Sequence, residues 1–140
     1  MTTKPRHIFV YGTLRSDAGV REAELLTKNA RGVGKGTVHA RMYDLGEYPG
    51  IELSDDERDV VVGELYELPA ESAGRVLESL DAYEGIGGSD SSPSLYERVP
   101  VAVNVGARKP IRAWTYVLKS RASSCPRIPT GDYTAWKSKR

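Results

Sequence analysis

Apolar residues in this chain recur mostly at every second position, which is the spacing of β-strands. The clearest run has valine at positions 99, 101, 103 and 105, with Pro100, Ala102 and Asn104 between them. A turn at 106–110 separates this run from residues 111–118, which are rich in β-branched and aromatic side chains. The two runs predict a hairpin, and related patterns predict strands at 8–11, 38–43 and 60–68.

Two stretches have helical spacing instead. In residues 17–30, apolar residues recur every three positions. Residues 70–84 follow Pro69, a residue type favoured at helix starts, and precede Gly85, which suits a helix end. Two helices are therefore predicted.

The order of these elements favours one α+β domain. Strands and helices do not alternate as repeated βαβ units, so a doubly wound parallel sheet is not expected. We predict a small mixed sheet of five to six strands, partly closed like a β-barrel, with two helices. A single domain spans residues 1–140, with a polar tail from about residue 120.

The second predicted helix carries an acidic residue on its apolar face. At about 100° per residue, Leu77, Leu80 and Tyr83 lie on one apolar side of the helix. Glu84 falls on the same side. Glu84 is also at the C-terminal end, where the helix dipole disfavours an anion. Both effects raise the pKa of a carboxyl, and such a group can accept and donate a proton near neutral pH. The pattern also fits a Glu84 that turns to solvent or pairs with Arg98, and both alternatives stay open.

Composition and charge exclude several classes of protein. The 140 residues include 20 Lys and Arg against 19 Asp and Glu, a formal net charge of +1, which argues against bulk attraction to nucleic acid. No apolar run approaches the ~18 residues of a membrane span, so no membrane partner is expected. The N-terminal apolar run is too short for a secretory signal. The single cysteine, Cys125, cannot form an internal disulfide, so we expect a cytoplasmic protein.

Other features predict neither a metal nor a cofactor. Residues 32–36 (Gly-Val-Gly-Lys-Gly) are similar to a phosphate-binding loop, but they follow a predicted helix and precede a predicted strand, the reverse of the required order. We interpret them as a helix stop and a strand entry. Two His and one Cys form no familiar zinc spacing. Tyrosine is over-represented, with eight Tyr against one Phe, and its ring and hydroxyl suit a half-polar pocket.

Several segments, taken in order, carry a resemblance to a known family. Residues 10–15 read Val-Tyr-Gly-Thr-Leu-Arg. Residues 48–50 read Tyr-Pro-Gly, which predicts a turn. Residues 80–85 read Leu-Asp-Ala-Tyr-Glu-Gly, followed by Tyr-Glu-Arg-Val at 96–99. Together they resemble the gamma-glutamylcyclotransferase-like family over nearly the whole chain up to Tyr116. The resemblance implies a small barrel-like fold with a pocket at one end.

The resemblance also implies an activity and a set of site residues. The activity is release of 5-oxoproline and a free amine from a small gamma-glutamyl amine or amide, without a metal, a cofactor or a protein nucleophile. The family's catalytic glutamate maps onto Glu84, the residue that the helix pattern singles out. The loop that grips the glutamyl part of the substrate maps onto Tyr11, Gly12, Thr13 and Leu14.

Less specific expectations concern the residues around this site. Tyr96 and Tyr116 lie where family members often place pocket-lining tyrosines, and filling the barrel core is the alternative. Arg98 is either an exposed strand charge or the partner in a salt bridge that positions the turn at Glu84. The stretch 85–95 forms a lid or alters the leaving-group side of the pocket. A non-catalytic module that binds or senses a small metabolite is the alternative function, and the sequence leaves the leaving amine and the oligomeric state open.

Overall fold

The strands form one mixed sheet that curves into a nearly closed barrel. The computed structural model describes residues 5–12, 26, 28–46, 49–83, 96–119 and 125–138. In chain order the elements are β1 (His7–Val10), β2 (Arg31–Asp44), β3 (Pro49–Leu53), β4 (Val60–Glu67), α1 (Ala73–Tyr83), β5 (Tyr96–Val103), β6 (Ile111–Leu118), β7 (Arg127–Ile128) and α2 (Tyr133–Ser138). The predicted α+β class, with a mixed and partly closed sheet, is confirmed.

The strand order is β3-β2-β4-β1-β6-β5, and β7 pairs with β2 off this path. The first strand of the chain therefore lies in the middle of the sheet. It pairs antiparallel with β4, where Val10 faces Glu64, and parallel with β6, where Ile8 faces Trp114. Ile8, Phe9 and Val10 are almost completely buried, because both faces of the sheet are covered at β1.

Two apolar clusters fill the two sides of the sheet. Successive strand residues point to opposite faces, so Phe9 belongs to the cluster inside the barrel whereas Ile8 and Val10 belong to the cluster that includes α1. The helix predicted at 70–84 is observed at Ala73–Tyr83, and it buries Val76 and Leu80. Its core-facing stripe thus places α1 against the outside of the barrel.

The structure corrects the sequence-based prediction at three places. Tyr83, predicted on the apolar stripe of the helix, is exposed. Residues 32–36, predicted to break a helix and lead into a strand, are themselves part of β2, which pairs along β4 with a bulge between Gly32 and Gly34. β3 was predicted only as a turn at 48–50, but pairing with β2 makes it a strand.

Most of the helix predicted at 17–30 lies outside the described residues. The described part is its end, where Leu26 is fully buried in the cluster that includes α1. The stretch 85–95 also lies outside the described residues. Among the helices that the structure describes, none is long and apolar enough to cross a membrane.

The C-terminal segment 125–138 is attached to the sheet by polar contacts. Asp59 accepts hydrogen bonds from Ser54 Oγ, Arg41 Nε and Arg127 Nη2, each at 2.7 Å, and its side chain is 9% exposed. The hydrogen bonds from Ser54 and from the two guanidinium groups hold the pKa of Asp59 well below its usual range. Trp136 Nε1 donates a hydrogen bond to Oδ2 of Asp44, the last residue of β2, at 2.8 Å. This part of the predicted polar tail is therefore packed on the barrel.

Candidate functional site

The end of β1 leads into the segment that the sequence assigns to substrate binding. Tyr11 is buried, and its hydroxyl donates to the backbone carbonyl oxygen of Tyr116 at 2.6 Å. Gly12 follows it. Thr13 and Leu14, the other two predicted binding residues, lie outside the described residues. The hydrogen bond to β6 fixes the point from which this segment leaves the barrel.

Gly12 lies against the start of β3. A Cβ atom on Gly12 would stand 2.8 Å from Pro49 Cγ, closer than van der Waals contact, so this approach requires glycine. The carbonyl oxygen of Pro49 accepts a hydrogen bond from the hydroxyl of Tyr96 at 2.6 Å. Tyr48, the first residue of the Tyr-Pro-Gly segment, lies outside the described residues. The rest of that segment stands beside the Tyr-Gly segment, as a shared pocket would need.

The end of β6 completes the same end of the barrel. Tyr96 and Leu118 are paired in the register of β5 and β6. A Cβ atom on Gly50 would stand 2.6 Å from Leu118 Cδ2, so β3 also approaches β6 closely. The end of β1, the starts of β3 and β5 and the end of β6 therefore converge.

The last turn of α1 is attached to this end of the barrel through Asp81. Asp81 Oδ1 accepts hydrogen bonds from the hydroxyl of Tyr116 at 2.7 Å and from Arg98 Nε at 2.8 Å, and Oδ2 accepts one from Arg98 Nη2 at 3.1 Å. Of the two alternatives for Arg98, the salt bridge is the one observed, with Asp81 as its partner. The helix ends at Tyr83, and Glu84, the next residue, lies outside the described residues.

Some of the residues at this end of the barrel were singled out from the sequence, and one was not. Of the predicted site residues, the structure describes Tyr11, Gly12 and Tyr116 and brings all three to one end of the barrel. Asp81 was not singled out, although it stands inside the Leu-Asp-x-x-Glu-Gly block and at the edge of the apolar helix stripe. Its contacts join residues 17 and 35 positions apart, which no local pattern reveals.

The tyrosine excess has a structural role at this end of the barrel. The hydroxyls of Tyr11, Tyr96 and Tyr116 each donate to a protein acceptor on a different segment. A phenylalanine would fill the same volume without making these bonds. The ring of each tyrosine is thus buried while its hydroxyl fixes how two segments meet.

Other parts of the structure offer weaker candidates. Among the described residues, no group of three or more His, Cys, Asp or Glu side chains is arranged to hold a metal ion. A cavity of about 330 Å³ lies at the bulge of β2, and its described lining includes Lys35, Glu64 and Tyr66. None of the residues that converge at the barrel end is in that lining. Since residues 32–36 pair with β4 and open no helix, they lack the geometry of a phosphate loop.

Comparison with known proteins agrees with the fold. Residues 8–135 match the family model described as gamma-glutamyl cyclotransferase, AIG2-like. An AIG2-like protein from Mus musculus has a similar structure, with a TM-score of 0.68 and 23% identity, over 94% of this chain and 89% of that one. An uncharacterized protein from Pyrococcus horikoshii gives a TM-score of 0.65 and 19% identity, over 95% and 93%.

A third similar structure is the protein ytfP from Escherichia coli, with a TM-score of 0.61 and 27% identity, over 94% of this chain and 98% of that one. Comparison with curated proteins gives no match. The fold of this chain therefore occurs, at nearly full length, in animal, bacterial and archaeal proteins.

Proposed function

The chain belongs to the gamma-glutamyl cyclotransferase, AIG2-like family, and from that membership we propose that it releases 5-oxoproline and a free amine from a gamma-glutamyl amine or amide. Glu84 is the proposed general acid/base, and residues 11–14 are proposed to hold the glutamyl part. The observation that carries the proposal is the junction at Tyr116. Its carbonyl oxygen accepts from Tyr11, and its hydroxyl donates to Asp81. One residue thereby joins the two segments that the proposed site needs.

In the proposed reaction the substrate contributes its own nucleophile. Its α-amino nitrogen attacks its γ-carbonyl carbon, a five-membered lactam closes, and the bond from that carbon to the leaving nitrogen breaks. One proton must leave the attacking nitrogen and one must reach the leaving nitrogen. A single carboxyl can carry out both transfers, and Glu84 is assigned this role.

The protein must also hold the substrate so that nitrogen and carbonyl meet. Such orientation can supply several kcal/mol of the barrier reduction. The end of β1 is buried and Gly12 packs closely on Pro49, so the segment proposed to bind the glutamyl part begins from a rigid part of the barrel. Successive backbone amides after a strand can form a concave site for a carboxylate, which supports the assignment of residues 11–14 to the substrate carboxylate.

Chain connectivity supports placing Glu84 at the same end of the barrel. Glu84 is three residues after Asp81, so their Cα atoms lie within about 11 Å of each other. Asp81 is itself bonded to Tyr116, which is bonded to Tyr11. A net charge of +1 agrees with a small zwitterionic substrate held by local groups. We propose the cytoplasm as the compartment, because the single cysteine cannot form an internal disulfide.

Turnover of a defined substrate panel tests the proposal. The full chain is incubated with gamma-glutamyl amines and gamma-glutamyl dipeptides, and 5-oxoproline is quantified. In E84Q we expect turnover to fall by at least about 100-fold, the scale of general acid/base catalysis, with unchanged folding. E78Q is the matched control because Glu78 is on the same helix and exposed, and we expect it to keep wild-type turnover.

Two outcomes would contradict the proposal. Near-normal turnover in E84Q would remove Glu84 from the reaction. Binding of 5-oxoproline by the wild type without turnover of any substrate would favour the metabolite-binding module instead.

A further inference from the structure

One carboxylate holds the end of α1 to the barrel with both of its oxygens. Asp81 Oδ1 accepts from Tyr116 and from Arg98 Nε, and Oδ2 accepts from Arg98 Nη2. The side chains are well shielded, with Asp81 18% and Arg98 23% exposed. Two parallel bonds between a guanidinium and a carboxylate fix orientation as well as distance. The helix end is thus held at a defined angle.

The sheet prepares both donors for this carboxylate. Arg98 and Tyr116 face each other across β5 and β6, and directly opposed residues point to the same side of a sheet. The guanidinium of Arg98 also lies over the ring of Trp114, 4.4 Å from its centroid, which restricts its plane. The carboxylate of Asp81 therefore meets a pre-arranged pair of donors.

Tyr116 extends this connection to the other half of the proposed site. The Tyr116 hydroxyl donates a hydrogen bond to Asp81. The backbone carbonyl oxygen of Tyr116 accepts a hydrogen bond from the Tyr11 hydroxyl at 2.6 Å. Displacing Tyr116 would therefore move both segments relative to each other. We propose that Asp81 is a positioning residue for the reaction: through Tyr116 and Arg98 it sets the end of α1, from which the chain continues to Glu84, relative to the Tyr11–Gly12 segment. The inference rests on the proposed function.

A positioning role and a purely structural role predict different kinetics. Misplacement of a reacting group by about 1 Å can lower a rate by about 100-fold, whereas substrate held by residues 11–14 still binds. A positioning residue therefore affects kcat far more than KM. A residue that only stabilises the fold lowers the melting temperature and leaves the kcat of the folded enzyme unchanged.

The experiment compares D81N and Y116F with the control E67Q. Glu67 also accepts from an arginine, Arg31 Nε at 2.9 Å, but it pairs with His7 at the opposite end of β1 from Tyr11. For D81N we expect kcat to fall by about 10- to 100-fold with KM within about threefold. E67Q is expected to keep kcat. Y116F retains the ion pair between Asp81 and Arg98 and the backbone carbonyl of residue 116, so it provides a second test should D81N not fold. We expect Y116F to lower kcat by a smaller factor than D81N does.

A double variant completes the comparison. Since Asp81 acts partly through the Tyr116 hydroxyl, D81N/Y116F should lose less kcat than the product of the two single losses. Wild-type kcat in both D81N and Y116F would overturn the inference, as would a KM increase that accounts for the whole loss of kcat/KM.

The two proposals can fail separately. If the wild type forms no 5-oxoproline, the proposed function fails, and the link itself is then tested by amide hydrogen exchange. D81N should speed exchange at residues 78–83 and at 11–12, whereas E67Q should not. Unchanged exchange at both segments would overturn the link without reference to turnover.

Discussion

The hydroxyl of Tyr96 donates to the carbonyl oxygen of Pro49 at 2.6 Å and so joins the first residue of β5 to the first residue of β3. These two strands are the two ends of the sheet path. The bond therefore joins the two end strands of this path directly, while a backbone bridge between Thr37 and Asn104 joins β2 to the end of β5. The bond from Tyr96 to Pro49 lies beside Gly12, at the end where the candidate site is assembled.

Loss of this bond should weaken barrel closure. In Y96F the buried Pro49 carbonyl loses its donor, and we expect the free energy of unfolding to fall by roughly 1–2 kcal/mol. Urea denaturation monitored by tryptophan fluorescence measures the change. Equal stability of Y96F and wild type would contradict the closing role.

A methyl group on Gly12 should separate the segments that meet at the site. Because the added Cβ atom would stand 2.8 Å from Pro49 Cγ, G12A should cost about 1–3 kcal/mol of stability and lower kcat/KM. Gly74 in α1 provides the matched control, since a Cβ atom there meets nothing within 4 Å. G74A should stabilise the protein by up to about 1 kcal/mol. Wild-type kcat/KM in G12A would show that this contact does not matter for the site.

The Asp59 cluster should make stability depend on pH in the acid range. Its pKa is lowered in the folded protein, so the ionised form stabilises the fold above the ordinary value of 3.8, and this stabilisation is lost as the pH falls through the folded pKa. D59N should therefore melt below the wild type at pH 7, and the gap should narrow as the pH falls below about 4. Melting temperatures between pH 7 and pH 3 measure this.

The exposed neighbour Asp55 provides the comparison. D55N should melt close to the wild type at every pH, because an exposed carboxylate contributes little. A D59N gap that stays constant with pH would mean that Asp59 acts through shape and not through its charge.

The local hydrophobic pattern was sufficient to locate an element whose structure depends mainly on its own residues. The alternation of valines located β5, and the helical stripe located α1 to within three residues at its start. It failed where partners distant in sequence decide. The glycines of β2 favour turns on their own, but pairing with β4 makes the segment a strand. Ile51 directly follows the predicted turn at 48–50, yet it is fully buried in a strand that pairs with β2.

The candidate site divides in the same way. Glu84 was singled out by its place on the apolar face of its helix, and the segment 11–14 by the family resemblance. The ion pair of Asp81 with Arg98 depends on how a helix end meets a hairpin, and its members look ordinary in sequence. In the sequence, Asp81 and Arg98 are typical of exposed charged residues. The strand register, which places Arg98 opposite Tyr116, is needed to see that they connect the helix end to the sheet.

The central position of β1 determines when the protein can become functional during synthesis. β1 is synthesised before both of the strands that flank it in the sheet, and the carbonyl oxygen of Phe9 accepts a hydrogen bond from Thr115 Oγ1, 106 residues later. Such distant contacts slow folding and leave apolar strands uncovered while the chain is incomplete. A chain truncated before β6 has neither the second neighbour of β1 nor the acceptor of Tyr11. Neither half of the chain therefore carries a site of its own, and premature termination anywhere before the last long strand leaves an unfinished sheet.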